Sequence, residues 1–301
     1  MNDLLILQIT IFILLAVGFF VKRIGLVANE GQKNLTDLVI NIILPCNIVT
    51  SFTVDTGADT FLDCVMILLI SIGIQIFCVI YGKFLFRRQS EDRRKCLRYA
   101  IICSNAGFLG NPIAEGIFGE IGLMYASIYL IPLRVMMWSE GIAIFSSEKK
   151  FVSTIKKVVT HPCVIACGIG ILLIVTGITL PAVILTPLGT LGRCNTALSM
   201  LVIGMILAEI DLKTIVDRTV IWYTLNRLVV IPMAVYLVCL ILPVNHTIRG
   251  LSVLLAAMPA GATTSMLAAK YDRDPGYATK LVVFSTLCSI PAIMMWSMII
   301  S

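Results

Sequence analysis

Ser104-Asn105-Ala106-Gly107-Phe108-Leu109-Gly110-Asn111-Pro112 and Met258-Pro259-Ala260-Gly261-Ala262-Thr263-Thr264-Ser265 carry the most information in this chain. Each stretch places helix-breaking and polar residues in the middle of an apolar run long enough to cross a bilayer. Lipid tails offer no hydrogen bonds, so backbone groups freed there must be satisfied by protein, water or a ligand. The two stretches occupy corresponding positions in the two halves of the chain. Paired interruptions of this kind point to the binding site of a transporter.

The surrounding composition agrees. Of 301 residues, 58% are hydrophobic and 13% charged, with a mean hydropathy of +0.98, which excludes a soluble globular domain. Apolar runs of about twenty residues recur, the length that spans about 30 Å of hydrocarbon as a helix. The net charge of +6 does not indicate nucleic acid, because the cations sit in short clusters between apolar runs. The first apolar run follows Met1-Asn2-Asp3 and continues to Lys22-Arg23 without a small-x-small cleavage site, so a cleaved signal peptide is not expected. The ten cysteines form no CxxC and read as small buried hydrophobes; no metal or cofactor is expected.

Apolar runs set against polar interruptions predict an all-α polytopic membrane protein of ten transmembrane helices. They fall at about 4–21, 35–54, 61–82, 97–118, 122–145, 162–180, 187–208, 219–242, 247–269 and 278–300. Most of the 23 Lys and Arg residues lie in the odd-numbered loops. Examples are Lys22 and Arg23 after span 1, Arg87 to Arg98 after span 3, and Lys149 to Lys157 after span 5. Those loops are therefore expected in the cytoplasm and both termini outside, in the cell membrane. Five spans per half is an odd number, so the halves run in opposite senses. The expectation is two inverted five-helix repeats, 1–145 and 162–301, joined by a cytoplasmic linker at 146–161, with helices 4 and 9 broken where they cross.

In this frame the chain resembles the auxin efflux carrier family, which includes plant PIN-type auxin transporters and bacterial carboxylate carriers. The residues that carry the resemblance are Leu44-Pro45, Asn105 to Pro112, Arg227 to Pro232, Met258-Pro259 and Leu267-Ala268, in order along the whole chain. The resemblance implies a scaffold of helices 1, 2, 6 and 7, often dimeric, and a transport domain of helices 3–5 and 8–10. It also implies substrate bound at the crossing of helices 4 and 9 and carried by an elevator-like movement. The family's crossover asparagine maps onto Asn105. Many relatives place a second asparagine after the Met-Pro pair, where this chain has Thr263; a hydrogen-bonding group is kept and the amide is lost.

The residues support the same site independently. A helix resumed after a break presents N–H groups with partial positive charge, which favour a carboxylate. Gly107 and Gly110 are expected to let the backbone leave helical dihedrals, and Pro112 suits the first turn of the resumed helix. Asn105, Asn111, Thr263 and Thr264 supply donors and acceptors there, for substrate or for the broken backbone itself. Asn47, near Pro45 in span 2, is a candidate for the wall facing the crossing. Arg134, within span 5 beside Pro132, is either the counter-charge of an anionic substrate or a structural arginine. Arg227, about two turns into span 8, is expected to snorkel to the cytoplasmic face.

These readings favour a secondary transporter of a small organic anion, an auxin-like carboxylate or a dicarboxylate. A sodium-coupled symporter of the bile-acid type is the alternative, but needs a carboxylate cluster beside the crossing, where Glu115 stands alone. No Walker, dinucleotide or hydrolase pattern occurs, so neither an enzyme nor ATP drive is expected.

Overall fold

A computed structural model describes residues 2–53, 60–145, 159–208 and 216–300. Among them all regular structure is helical, and six helices are long and apolar enough to cross a membrane, including Phe61–Leu85, Arg218–Ile241 and Pro275–Ile300. Ile76, Ile80, Phe84, Leu237, Val238 and Ile241 are exposed on them, the pattern of a surface meant for lipid rather than water. The linker expected at 146–161 lies outside the described residues except for 159–161. The chain divides into two compact units: Met1–Ala58, Asn111–Ser127 and Thr160–Ile210 form the first, and Asp59–Gly110, Ile128–Val159 and Asp211–Ser301 the second.

In the first unit, helix Asn2–Arg23 lies against helix Asn195–Ala208 at backbone distance. A Cβ on Gly18 would stand 2.1 Å from the Leu201 carbonyl oxygen, and one on Gly204 2.0 Å from that of Leu15. Without a hydrophobic drive between helices in lipid, such close approach supplies the attraction through dispersion. Helix Leu44–Ser51 is followed by Phe52, whose ring covers Gly170 of helix Pro162–Thr176. Helix Asn111–Trp138 contains Gly119 at φ 68°, ψ −159°, a conformation essentially restricted to glycine. It is thus two helical segments joined by a sharp turn, and Gly122 returns close to the Ala114 carbonyl. The turn falls between the fourth and fifth expected spans.

Among the described residues three five-residue π-helical turns, Val39–Ile43, Ala106–Gly110 and Asn226–Val230, each end two residues before a proline, Pro45, Pro112 and Pro232. Proline has no N–H to give and its ring crowds the carbonyl four residues back; a widened turn moves that carbonyl aside. In the second unit the freed Leu228 carbonyl finds a new donor, the indole N–H of the fully buried Trp296, at 2.8 Å. Trp296→Phe is expected to lower stability by about 1–3 kcal/mol, the cost of leaving that carbonyl unpaired. Thermal unfolding in detergent checks this, and an unchanged midpoint would count against the assigned bond.

The second unit is also tied at its charged end. Arg93 faces Asp217 and Asp274, Arg273 faces Asp92, and Arg98 faces Glu140 at 3.5 Å. Glu91 pairs with Lys95 at 2.7 Å, one turn on, and the lysine holds its carboxyl below the usual range. Asn245, part of an Asn-His-Thr glycosylation pattern, serves as the N-cap of helix His246–Ala256: its Oδ1 accepts from the Ile248 amide and its Nδ2 donates to Asp63.

Candidate functional site

The two interrupted stretches meet inside the second unit. Helix Glu91–Ile102 stops and Cys103 turns to an extended conformation. Ser104 pairs with Ala260 in an isolated antiparallel β-bridge. The Asn105 amide donates to the Pro259 carbonyl at 2.8 Å, and the Gly261 amide to the Cys103 carbonyl at 3.0 Å. Each break thus satisfies part of the other's freed backbone, as an irregular segment at membrane depth requires. A further amide, that of Ala260, donates to the Ser285 hydroxyl at 3.1 Å.

The carbonyl ends of the two half-helices share one cation. Arg227 is 3% exposed; its Nε donates to the Met258 carbonyl at 2.9 Å and its Nη1 to the Ile101 carbonyl at 3.2 Å. This corrects the expectation that Arg227 snorkels to the membrane face. Two half-helix C-termini converge on its guanidinium, and a positive charge at those negative dipole ends is better placed there than in the headgroups. The neighbouring Ala100 carbonyl accepts from the Tyr223 hydroxyl at 3.1 Å.

The amide ends are left differently. The chain resumes in the π-turn at Ala106, and the Asn105 carbonyl accepts from both Leu109 and Gly110. The amides of Ala106, Gly107 and Phe108 precede any intrahelical acceptor. Helix Thr263–Lys270 opens the second resumed segment. Arg134, 5% exposed, lies beside the first: a Cβ on Gly107 would stand 3.9 Å from its Nη2. Its buried Nη1 has no partner among the described residues. The hydroxyls of Ser104 and Thr264 are likewise buried and unpartnered, and the half-buried Asn105 side chain makes no hydrogen bond among the described residues. Thr263 is engaged, accepting from the Tyr99 hydroxyl at 3.0 Å.

Gly107 and Gly110 lie in a π-turn, Gly110 with right-handed dihedrals of φ −71°, ψ −39°, so the backbone freedom expected of them is not what the fold uses. Gly110 is needed for space: a Cβ there would meet Leu255 Cδ2 at 2.8 Å and Met258 Cγ at 3.2 Å. Pro112 stands in the first turn of helix Asn111–Trp138, as expected, and the π-turn Ala106–Gly110 leads directly into that helix. Asn111 and Pro112 belong to the first unit, and both polar atoms of the fully buried Asn111 amide lack a partner among the described residues. Asn47 also belongs to the first unit, where its Nδ2 donates to Glu115 Oε2 at 2.8 Å and its side chain packs on Gly192.

Arg227, Ser285 and Tyr99 are parts of this constellation that sequence patterns did not assign to it. A charge within an apolar span and the Arg227 to Pro232 motif marked Arg227 without naming its acceptors, which come from segments 31 and 126 residues away. Among the described residues no group of His, Cys, Asp and Glu could hold a metal ion.

A family model described as membrane transport protein matches residues 4–154 and 150–297. An uncharacterized transporter of Methanothermobacter thermautotrophicus is 27% identical over 298 residues, covering 97% of each chain. One from Methanocaldococcus jannaschii is 25% identical over 299 residues, covering 96% of each. The uncharacterized transporter YfdV of Escherichia coli K12 is 21% identical, over 95% of this chain and 94% of its own.

Proposed function

Since the chain belongs to the membrane transport protein family, the auxin efflux carrier-like group, and is a transport protein rather than an enzyme, we propose that it is a secondary transporter of a small organic anion. Substrate binds at the crossing of the two breaks in the second unit. The observation that carries this reading is an asymmetry of charge. The negative, carbonyl ends of the half-helices are already occupied by Arg227, whereas among the described residues neither the positive, amide end at Ala106 nor the Nη1 of Arg134 beside it has an acceptor. A buried guanidinium next to unpaired amides favours a carboxylate and disfavours a cation.

In this reading Asn105 and Arg134 contact the carboxylate, and Gly107 lets the substrate approach the backbone. Gly110, Asn111, Pro112, Thr263 and Thr264 shape the breaks, and Asn47 belongs to the scaffold. The second unit then corresponds to the transport domain and carries the substrate by an elevator-like movement. The scaffold helices form a homodimer in the cell membrane, with both termini outside. The division of the chain into two units with the crossing in one of them supports this arrangement.

The test is uptake and counterflow in proteoliposomes with a panel of mono- and dicarboxylates, indole-3-acetate included, with and without sodium and pH gradients. Saturable transport is expected, reduced roughly tenfold to a hundredfold in Asn105→Ala and in Arg134→Gln, the loss of one charge-assisted hydrogen bond each. Normal transport by a folded Asn105→Ala protein would refute the site. A strict requirement for sodium would favour the bile-acid-type alternative, and no anion transport at all would remove the carboxylate.

A further inference from the structure

Away from the crossing, the ends of two other helical segments of the second unit enclose an open cavity of about 850 Å³. Arg87, Arg88 and Arg218 line it together with Phe84, Trp222 and Leu225, and no acidic side chain is among its lining residues. Among the described residues none of the three arginines forms an ion pair, and Arg87 lies over the Phe84 ring at 4.2 Å. The nearest acid in sequence, Asp217, is turned to the Thr219 amide and to Arg93. Three guanidinium groups gathered without a counter-charge repel one another, and an anion with several oxygens relieves that repulsion by accepting their forked donors.

The apolar surroundings say what kind of anion fits. Phe84 and Ile80, one helical turn apart, are exposed on helix Phe61–Leu85, and Leu225 and Ile221, also one turn apart, are exposed on Arg218–Ile241. Both helices are long and apolar enough to cross a membrane, and the arginines stand at their ends. A cationic pocket continued by exposed apolar side chains matches a phosphate head with acyl chains, not a free phosphate ion. We propose that this cavity binds the headgroup of an anionic phospholipid, with the chains lying along Phe84, Ile80, Ile221 and Leu225.

Native mass spectrometry of the full chain, delipidated in detergent, tests this with phosphatidylglycerol and phosphatidylcholine as probes. Phosphatidylglycerol is expected to remain bound and phosphatidylcholine to be lost. Affinity for phosphatidylglycerol should fall roughly a hundredfold in R87Q/R88Q/R218Q, at about tenfold or less per cation, and by an intermediate factor in R87Q/R88Q, which keeps the helix start intact. Removing cations elsewhere, in K22Q/R23Q/K33Q, should leave binding unchanged; equal loss there would mean unspecific charge attraction and overturn the site. Displacement of the lipid by millimolar inorganic phosphate, or phosphate binding without lipid, would overturn the lipid assignment.

Discussion

Arg227→Leu is expected to abolish transport and to destabilise the second unit by roughly 2–6 kcal/mol. The substitution removes the donors of the Met258 and Ile101 carbonyls together, and neither carbonyl has water or lipid to turn to at a 3% exposed position. Two unpaired carbonyls at about 1–3 kcal/mol each set the range. The effect should be local first: the backbone on both sides of the Ser104–Ala260 bridge loses its anchor, so the Asn105 and Gly261 amides should exchange with solvent much faster. Arg227→Lys should recover only part of the loss, because a single ammonium lacks the planar fork that reaches two carbonyls in different directions. Thermal unfolding combined with hydrogen exchange at residues 103–105 and 259–261 gives the readout. An Arg227→Leu protein with wild-type midpoint and protection would show that the guanidinium is not what holds the crossing.

Gly204→Ala is expected to have the second large effect, in the first unit. Overpacking in a core ordinarily costs about 1–3 kcal/mol when side chains can move aside. Here the obstacle is the Leu15 carbonyl oxygen, 2.0 Å from the new Cβ, followed by its carbonyl carbon and the Phe19 nitrogen at 2.9 Å. Backbone cannot rotate out of the way, so helix Asn2–Arg23 must separate from helix Asn195–Ala208, and the loss should exceed that range. Gly18→Ala should behave alike, since its Cβ would meet the Leu201 carbonyl at 2.1 Å. Gly189→Ala is the contrast: nothing lies within 4 Å of its Cβ position, and within helix Ala182–Gly192 alanine should be neutral or stabilise by up to about 1 kcal/mol. Thermal midpoints of the three variants in detergent decide the matter; equal midpoints for Gly204→Ala and Gly189→Ala would sink the close-packing argument.

Part of the site is legible in the order of residues. Proline and glycine within apolar runs mark where a helix ladder cannot continue, because those constraints act within a few residues. The breaks near Asn105 and Gly261 follow from that alone, as does the sharp turn near Gly119 between two apolar runs. The use of particular residues is less legible. Gly110 reads as backbone freedom, yet it provides room against Leu255 and Met258. Pro112 reads as a helix start and stands in the first turn of helix Asn111–Trp138, but the π-turn that leads into it is not legible in the sequence.

The amino-acid order is enough to establish a membrane-spanning helical protein, the places where its helices fail, and its membership of a transport family. Hydropathy, helix-breaking residues and local motifs are properties of short stretches and survive without knowledge of packing. It took the packed helices to show that the two failures satisfy each other through a β-bridge, that Arg227 closes their carbonyl ends, and that Arg134 stands beside an open amide end. Those relations join residues from opposite halves of the chain, Ser104 to Ala260 and Cys103 to Gly261 among them. They depend on which polar groups remain unpaired once the helices have packed, a quantity that no stretch of sequence carries alone.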